Sequence, residues 1–173
     1  NTNGISNSML RGGPRMRSQG SSSIQYGINS DSRKKLQFDF YNSFGKGFEN
    51  SSDRFSISAG FTYKPLNTLT VSINPEYFKS YSELQYIGSE DYNGKDRYLF
   101  ASLDQKVLSA SIRISYNITP DLTLQYWGQP FIASGKYSEF KVIENQMADS
   151  YRDRFDLFTP SQMSGLIDGE FNI

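Results

Sequence analysis

The chain of 173 residues has no cysteine and no histidine. Without cysteine there are no disulfides, thiolate ligands or thiol nucleophiles. Without histidine the commonest general base and the commonest metal ligand are both missing. Ser-His-Asp, Cys-His and His-metal sites therefore cannot be built. Charge of one sign is also lacking, since Lys+Arg and Asp+Glu are both 18. A nucleic-acid partner calls for a basic surplus to neutralise phosphates, so nucleic acid is excluded. No apolar run approaches the roughly 18 residues of a membrane helix, and mean hydropathy is -0.58. Neither fact excludes a membrane β-barrel, which places apolar residues only at every second position and so escapes windowed averages. The chain starts at Asn1, with no positive start and apolar segment to read as a signal peptide.

What the chain does have is aromatics, 12 Tyr and 13 Phe, set among Ser, Asn and Gly. That is a β-rich composition. Leu108, Ala110, Ile112, Ile114, Tyr116 and Ile118 alternate with Ser109, Ser111, Arg113, Ser115 and Asn117. The same period of two runs through Ile24 to Ile28, Leu36 to Phe40, Phe55 to Tyr63 and Leu69 to Ile73, and restarts at Leu122, Leu124 and Tyr126. No helical period extends over 11 or more residues. Turn chemistry falls at Asn29 to Ser32, Pro65 to Asn67 and Thr119 to Asp121. Longer loops are expected at Gly45 to Ser52, at Ser89 to Asp96 with Asn93-Gly94 at the tip, and from Glu144 onward. Apolar parity shifts from odd at Leu99, Ala101 and Leu103 to even at Leu108, which predicts a β-bulge near Asp104-Gln105. The expected organisation is an irregular segment over 1–20, antiparallel strands over 21–143, and a polar loop with a candidate strand at Tyr151 to Phe158 over 144–173, where the chain looks truncated. The expected fold is all-β: an antiparallel up-and-down meander of about six long strands, with a seventh as an option.

The solvent on the apolar side decides the function. Short turns at one end and longer connections at the other fit an outer-membrane barrel. At about 3.3 Å per residue and a tilt near 40°, Leu108 to Ile118 spans roughly 25 Å of membrane normal, the height of a barrel's apolar band. Ile57, Phe61, Val71, Ile112, Ile114, Leu122 and Leu124 are then candidate lipid-facing residues. Asp39, Glu76, Asp104, Arg113 and Gln125 are candidate polar residues facing a lumen. Tyr63, Tyr116, Tyr126 and Trp127 sit near strand ends, where amphipathic rings favour a membrane interface. The rival reading is a soluble antiparallel sheet with one wet face, binding a glycan or other ligand through exposed Tyr81, Tyr86, Tyr92 and Trp127. It wins if Ile112, Ile114, Leu122 and Leu124 pack on a second protein layer.

Several blocks also carry a family likeness. They are Asn74-Pro75, Glu83-Leu84-Gln85-Tyr86, Arg97-Tyr98-Leu99-Phe100, Leu103-Asp104-Gln105-Lys106 and Ile118 to Tyr126. Gly128-Gln129-Pro130-Phe131 and Ser134 to Ser138 follow. In this order they resemble the barrel region of a Bacteroidota-type outer-membrane family. Its members join an N-terminal carbohydrate-binding family 9-like sandwich to a C-terminal β-barrel domain of unknown function. The likeness runs from about Arg11 to Phe140, and the Asp-Gln-Lys and Tyr-Trp-Gly-Gln-Pro-Phe blocks are its most specific parts. The sandwich is absent here, and so is the family's terminal aromatic strand. The resemblance therefore implies an internal or truncated section of the barrel, located in the outer membrane of a Gram-negative bacterium. A carbohydrate-related role follows only from the neighbouring domain, which is analogy. No catalytic residue carries over.

Catalysis has little to stand on. Asp39, Glu76, Glu83 and Asp104 are the only carboxylates placed to act as an acid and base pair, which needs a separation of roughly 5–9.5 Å. Gly45-Lys46-Gly47 lacks the phosphate-loop spacing, and Asp91 to Asp96 lacks the EF-hand frame. Arg113 interrupts a serine-lined face and could pair with Glu76 or Asp104 across a lumen. The expectation is a non-enzymatic barrel with a pore, transport or surface-anchoring role and no cofactor. Its expected partners are the lipid bilayer, further barrel strands from a longer chain or a partner, and a glycan. Six or seven strands fall short of the eight-strand minimum of bacterial barrels, and open edges cannot sit in lipid.

Overall fold

The computed structural model describes residues 4–162, 164–165 and 171–172. A short pair, β1 (Gly4–Ser6) and β2 (Met16–Ser18), occupies the segment expected to be irregular. The main strands are β3 (Ser21–Asn29), β4 (Leu36–Gly47), β5 (Ser52–Leu66), β6 (Leu69–Tyr92), β7 (Lys95–Thr119), β8 (Leu122–Gly128), β9 (Phe131–Ile143) and β10 (Phe155–Leu157). They form one antiparallel meander in the order β10-β9-β7-β6-β5-β4-β3, curled into a half-barrel. β8 pairs with the stretch of β7 that β9 leaves free. The described residues contain three-residue 3-10 turns and no α-helix. The expected strand near Tyr151 to Phe158 is a 3-10 turn (Arg152–Arg154) followed by β10. A further small pair joins Ser164–Gly165 to Phe171–Asn172.

Strand ends alternate as the sequence indicates. β3–β4, β5–β6 and β7–β8 turn at one end of the sheet, through 30–35, 67–68 and 120–121. The loops expected at the other end are mostly strand. Gly45-Lys46-Gly47 finishes β4, and only Phe48 to Ser51 turns. Ser89 to Asp96 is a ladder, with Glu90 opposite Arg97, Asp91 opposite Asp96 and Tyr92 opposite Lys95. Asn93 (φ 55°) and Gly94 (φ 75°) alone make the turn. Both central residues at positive φ is the hairpin turn whose twist matches its strands, and Asn-Gly is its favoured sequence. Beyond Ser82, the last β6 residue paired with β5, the β6–β7 hairpin therefore runs on for about 34 Å, at roughly 3.4 Å per residue. Its polar composition reads as loop because a paired ribbon in water needs no apolar face.

The predicted bulge near Asp104-Gln105 does not form. β7 stays in unbroken register with β6 from Leu103 to Tyr116. The irregularities lie in its neighbours instead, between Ser82 and Gln85 of β6 and between Ser138 and Lys141 of β9, where Glu139 takes φ 51°. The parity change in β7 has another cause. Phe100 stays on the same face as Leu108, while Leu99, Ala101 and Leu103 become apolar because the other face is also covered there. Pro75 lies inside a central strand, an uncommon place for it. No β5–β6 pairs form between Ser58↔Glu76 and Phe61↔Ile73, as its missing N–H requires.

The compact core sits at the projecting end of the sheet. Leu10, Met16, Phe100, Ile143, Tyr151 and Phe155 are buried together, with Met9, Leu84, Tyr86 and Tyr98 packed against them. Gly13 lies so close to the Tyr98 ring that a Cβ would meet it at 2.4 Å. The N-terminal segment and residues 144–157 thus clamp onto the hairpin.

Candidate functional site

In an antiparallel ladder directly opposed residues share a face, so register sorts the whole sheet. One face carries Ile24, Tyr26 and Ile28 of β3 and Leu36, Phe38, Phe40 and Phe44 of β4. It continues with Phe55, Ile57, Phe61 and Tyr63 of β5 and Val71, Ile73, Pro75 and Tyr77 of β6. Leu108, Ile112, Ile114 and Tyr116 of β7, then Leu124 and Tyr126 of β8, complete it. Rings meet across strands on this face, Phe44 to Phe55 at 5.1 Å and Phe55 to Tyr77 at 6.2 Å. The other face carries Ser21, Ser23, Gln25 and Gly27, then Gln37, Asp39, Tyr41, Ser43 and Gly45. Ser56, Ser58, Gly60 and Thr62 of β5 and Ser72 and Glu76 of β6 follow. Ser109, Ser111, Arg113 and Ser115 of β7 and Gln125 of β8 extend it; Phe78, Val107 and Ala133 form an apolar row on it, and Leu103, Trp127, Phe131 and Tyr137 are its further apolar members.

The apolar face has a defined height. It runs from Leu36 to Phe44 in β4, from Phe55 to Tyr63 in β5, from Leu69 to Tyr77 in β6 and from Leu108 to Tyr116 in β7, nine residues each time. A membrane-crossing strand needs about 9–11 residues when tilted. The band also steps. Phe44 and Phe55 stand in the same row as Lys79 and Lys106, so it lies two residues lower on β6 and β7 than on β4 and β5. Such a stagger is what tilted strands impose on a level band. Above it the same face becomes charged, with Lys46, Asp53, Lys79, Asp104, Lys106 and Lys136.

The seven candidates for an outward apolar surface, Ile57, Phe61, Val71, Ile112, Ile114, Leu122 and Leu124, all lie on this face. Among the described residues no second layer covers them: Leu122 and Leu124 are 54% and 60% exposed, and β7 packs mainly on β6, β8 and β9. One member of the band is polar. Asn42 lies between Tyr26 and Ile57, is only 5% exposed, and its Oδ1 has no hydrogen-bond partner.

Of the polar candidates, Asp39, Glu76, Arg113 and Gln125 share the polar face. Asp104 does not join them. It stands opposite Tyr81 and Lys136, in the charged row on the apolar side. The parity misread in β7 accounts for that error. Arg113 faces Ser72 and Trp127, and no ion pair joins it to Glu76 or Asp104 among the described residues. Asp39 rests over Gly60, where a Cβ would meet its carboxylate at 2.2 Å. Asp39 and Glu76 stand on β4 and β6, with β5 between them. The polar face of β3 to β7 lines a hollow of about 650 Å³ that includes Ser23, Gln25, Ser43, Arg54 and Ser80. The aromatics of the rival reading are scattered. Tyr92 is at the hairpin tip under Arg97, Tyr86 is in the small core, and Trp127 lies beside Arg113.

A polar cluster under the clamp carries no signature in the local pattern. Lys141 Nζ donates to Ser102 Oγ (2.7 Å), Glu83 O (3.1 Å) and Glu139 Oε2 (3.4 Å). Ser102 donates to Glu139 Oε2 at 2.8 Å, and Arg152 pairs with Glu83. Burial pushes the Lys141 ammonium below its usual range, against the pull of Glu139. The Ser102 hydroxyl, and then the charge of Lys141, hold the Glu139 carboxyl below the usual carboxylate range. Ser102 and Lys141 are each 1% exposed. Three acceptors thus surround the Lys141 Nζ, one from each of β6, β7 and β9. Arg154, 0% exposed, ties the two ends of the clamp. It donates to Arg17 O and Gln19 Oε1 on one side and to Ala148 O and Asp149 O on the other. Lys141 reaches Ser102 and Glu83 from 39 and 58 residues away, and Arg154 reaches Gln19 and Arg17 from 135 and 137 away, which is why local reading misses them.

No helix among the described residues is long and apolar enough to cross a membrane, which says nothing about strands. Compared with known families, residues 10–158 match the model described as a domain of unknown function (DUF5916). No curated protein and no solved structure matches the chain.

Proposed function

The chain belongs to the DUF5916 family, and from that premise we propose that it forms part of the wall of an outer-membrane β-barrel in a Gram-negative bacterium. The apolar face meets lipid, and the polar face lines the interior. One observation carries this reading: strand after strand presents nine residues of apolar face, at matched height, with turns below and charge above. A protein core would be covered by a second layer. A lipid-facing surface needs none, and its limits are set by the bilayer.

The half-barrel has two edges, β3 on one side and β8 with β9 on the other. Unpaired backbone cannot remain in hydrocarbon, so further antiparallel strands complete the wall. β3 and β8 run in opposite senses, which lets added hairpins close the ring with antiparallel pairing throughout. The role is non-enzymatic: a pore, a transporter or a surface anchor. The serine-, glycine- and glutamine-rich lining suits a wetted interior. Aromatics on separate faces and at separate heights give the glycan-binding alternative no single platform.

The test is gel mobility of the chain extracted from membranes in mild detergent, boiled and unboiled. The expected result is a heat-dependent shift with protease resistance before boiling. A chain that stays soluble without detergent and shows no shift overturns the reading.

A further inference from the structure

A hollow of about 780 Å³ opens on the apolar face at the upper limit of the band. Its lower wall is Ile24, Phe44 and Phe55, and its rim carries Lys46, Arg54 and Lys79 together with Asp53 and Asp104, one positive charge in excess. The surrounding rows hold two more lysines. Lys106 stands directly opposite Lys79, and Lys136 directly opposite Asp104. Like charges facing each other across a ladder are unfavourable. None of these four lysines has an ion-pair or hydrogen-bond partner among the described residues. Asp53 and Asp104 are the only carboxylates in these rows, so positive charge is in excess. All four lysines are exposed.

Apolar walls below and a rim with net positive charge above, where of the four lysines only Lys79 and Lys106 face no carboxylate, describe an amphiphile with an anionic head. We propose that this hollow binds the phosphate-bearing headgroup of an anionic lipid. Lys79 and Lys106 flank the phosphate, which relieves their mutual repulsion. Lys46 contacts it from the β4 side, and the first part of the acyl chains lies on Ile24, Phe44 and Phe55. The long lysine stems reach upward from the band while their heads stay at the interface. This site rests on the membrane reading above, because only a bilayer brings headgroups to that height.

The experiment is flotation of the full chain with vesicles of phosphatidylcholine alone, and with vesicles containing phosphatidylglycerol. The parent is expected to prefer the anionic vesicles. Each lysine near such a surface contributes about 1 kcal/mol, so Lys79→Ser with Lys106→Ser should lower that preference about tenfold to thirtyfold. Binding of this variant to phosphatidylcholine vesicles should stay as in the parent, which also shows that it folds. Lys34→Ser with Lys35→Ser, in the turn at the opposite end, removes equal charge and should change little. Equal losses in the two double variants would reduce the effect to diffuse attraction and overturn the site. Loss of the preference in excess inorganic phosphate, at constant ionic strength, would assign the site to a free anion and overturn the lipid. A parent that floats with neither vesicle sinks the membrane reading itself. A parent that floats equally with both sinks only the headgroup site.

Discussion

Two substitutions three residues apart in β7 separate lipid from water. Ile112 lies midway along the nine-residue stretch from Leu108 to Tyr116, on the apolar face opposite Ile73 and Gly128. Ser109 lies on the other face, directly opposite Glu76. If the apolar face meets the bilayer, Ile112→Arg puts a guanidinium near the midplane, which costs about 2–4 kcal/mol on the lipid face of a barrel. That is about a thirtyfold to thousandfold fall in partition from buffer into vesicles. Ser109→Arg places the same group on the wet face beside a carboxylate, where surface substitutions usually stay within about 0.5 kcal/mol. Flotation on a density gradient reads the partition, and far-UV circular dichroism checks that strand content is unchanged. An Ile112→Arg chain that floats like the parent would refute the assignment of the apolar face to lipid. So would a Ser109→Arg chain that loses more than Ile112→Arg.

Other residues test other parts of the structure. Asn42→Val removes the buried, unpartnered Oδ1 from the apolar band. It should stabilise the sheet by about 1–3 kcal/mol, the cost of an unsatisfied buried acceptor, seen as a higher urea midpoint; a lower midpoint would show that Asn42 has a partner. Arg154→Ala should release residues 144–157 from β1 and β2, giving protease cleavage in that segment while the band stays protected. Arg154→Lys should not restore the clamp, because an ammonium cannot span the four acceptors as the guanidinium fork does. Glu139 titrates below its ordinary value in the folded chain, chiefly through Ser102. Its contribution is therefore fully present above the usual carboxylate pKa and lost as pH falls through the lowered one. The difference in melting temperature between the parent and Glu139→Gln should shrink over that acid window, and a difference independent of pH would exclude the ion pair and hydrogen bond as its source.

Individual residues show what pattern reading reaches. Ile57, Phe61, Val71, Ile112, Ile114, Leu122 and Leu124 share a face as their alternation indicates, because facing in a strand is a local matter of odd and even. The turns at Pro65 to Asn67 and Thr119 to Asp121 stand close to where their chemistry places them. The hairpin tip is misread because Glu90, Asp91, Asp96 and Arg97 are polar yet paired. Asp104 falls on the other face because apolar parity marks a covered face only where one face is covered, and near Leu103 both are partly covered.

The amino-acid sequence alone determined the two-faced character of every long strand and the absence of His- or Cys-based chemistry, since both depend on residues in order along the chain. Register was decided only in the folded sheet. Pairing across strands brought Lys46, Lys79, Lys106 and Lys136 into two neighbouring rows of one face, stepped the apolar band by two residues, and put bulges in β6 and β9. The burial of Lys141 beneath the clamp is of the same kind, held by Glu83 and Ser102 from distant strands. Such placements arise from contacts between segments far apart in the chain, and no local period encodes them.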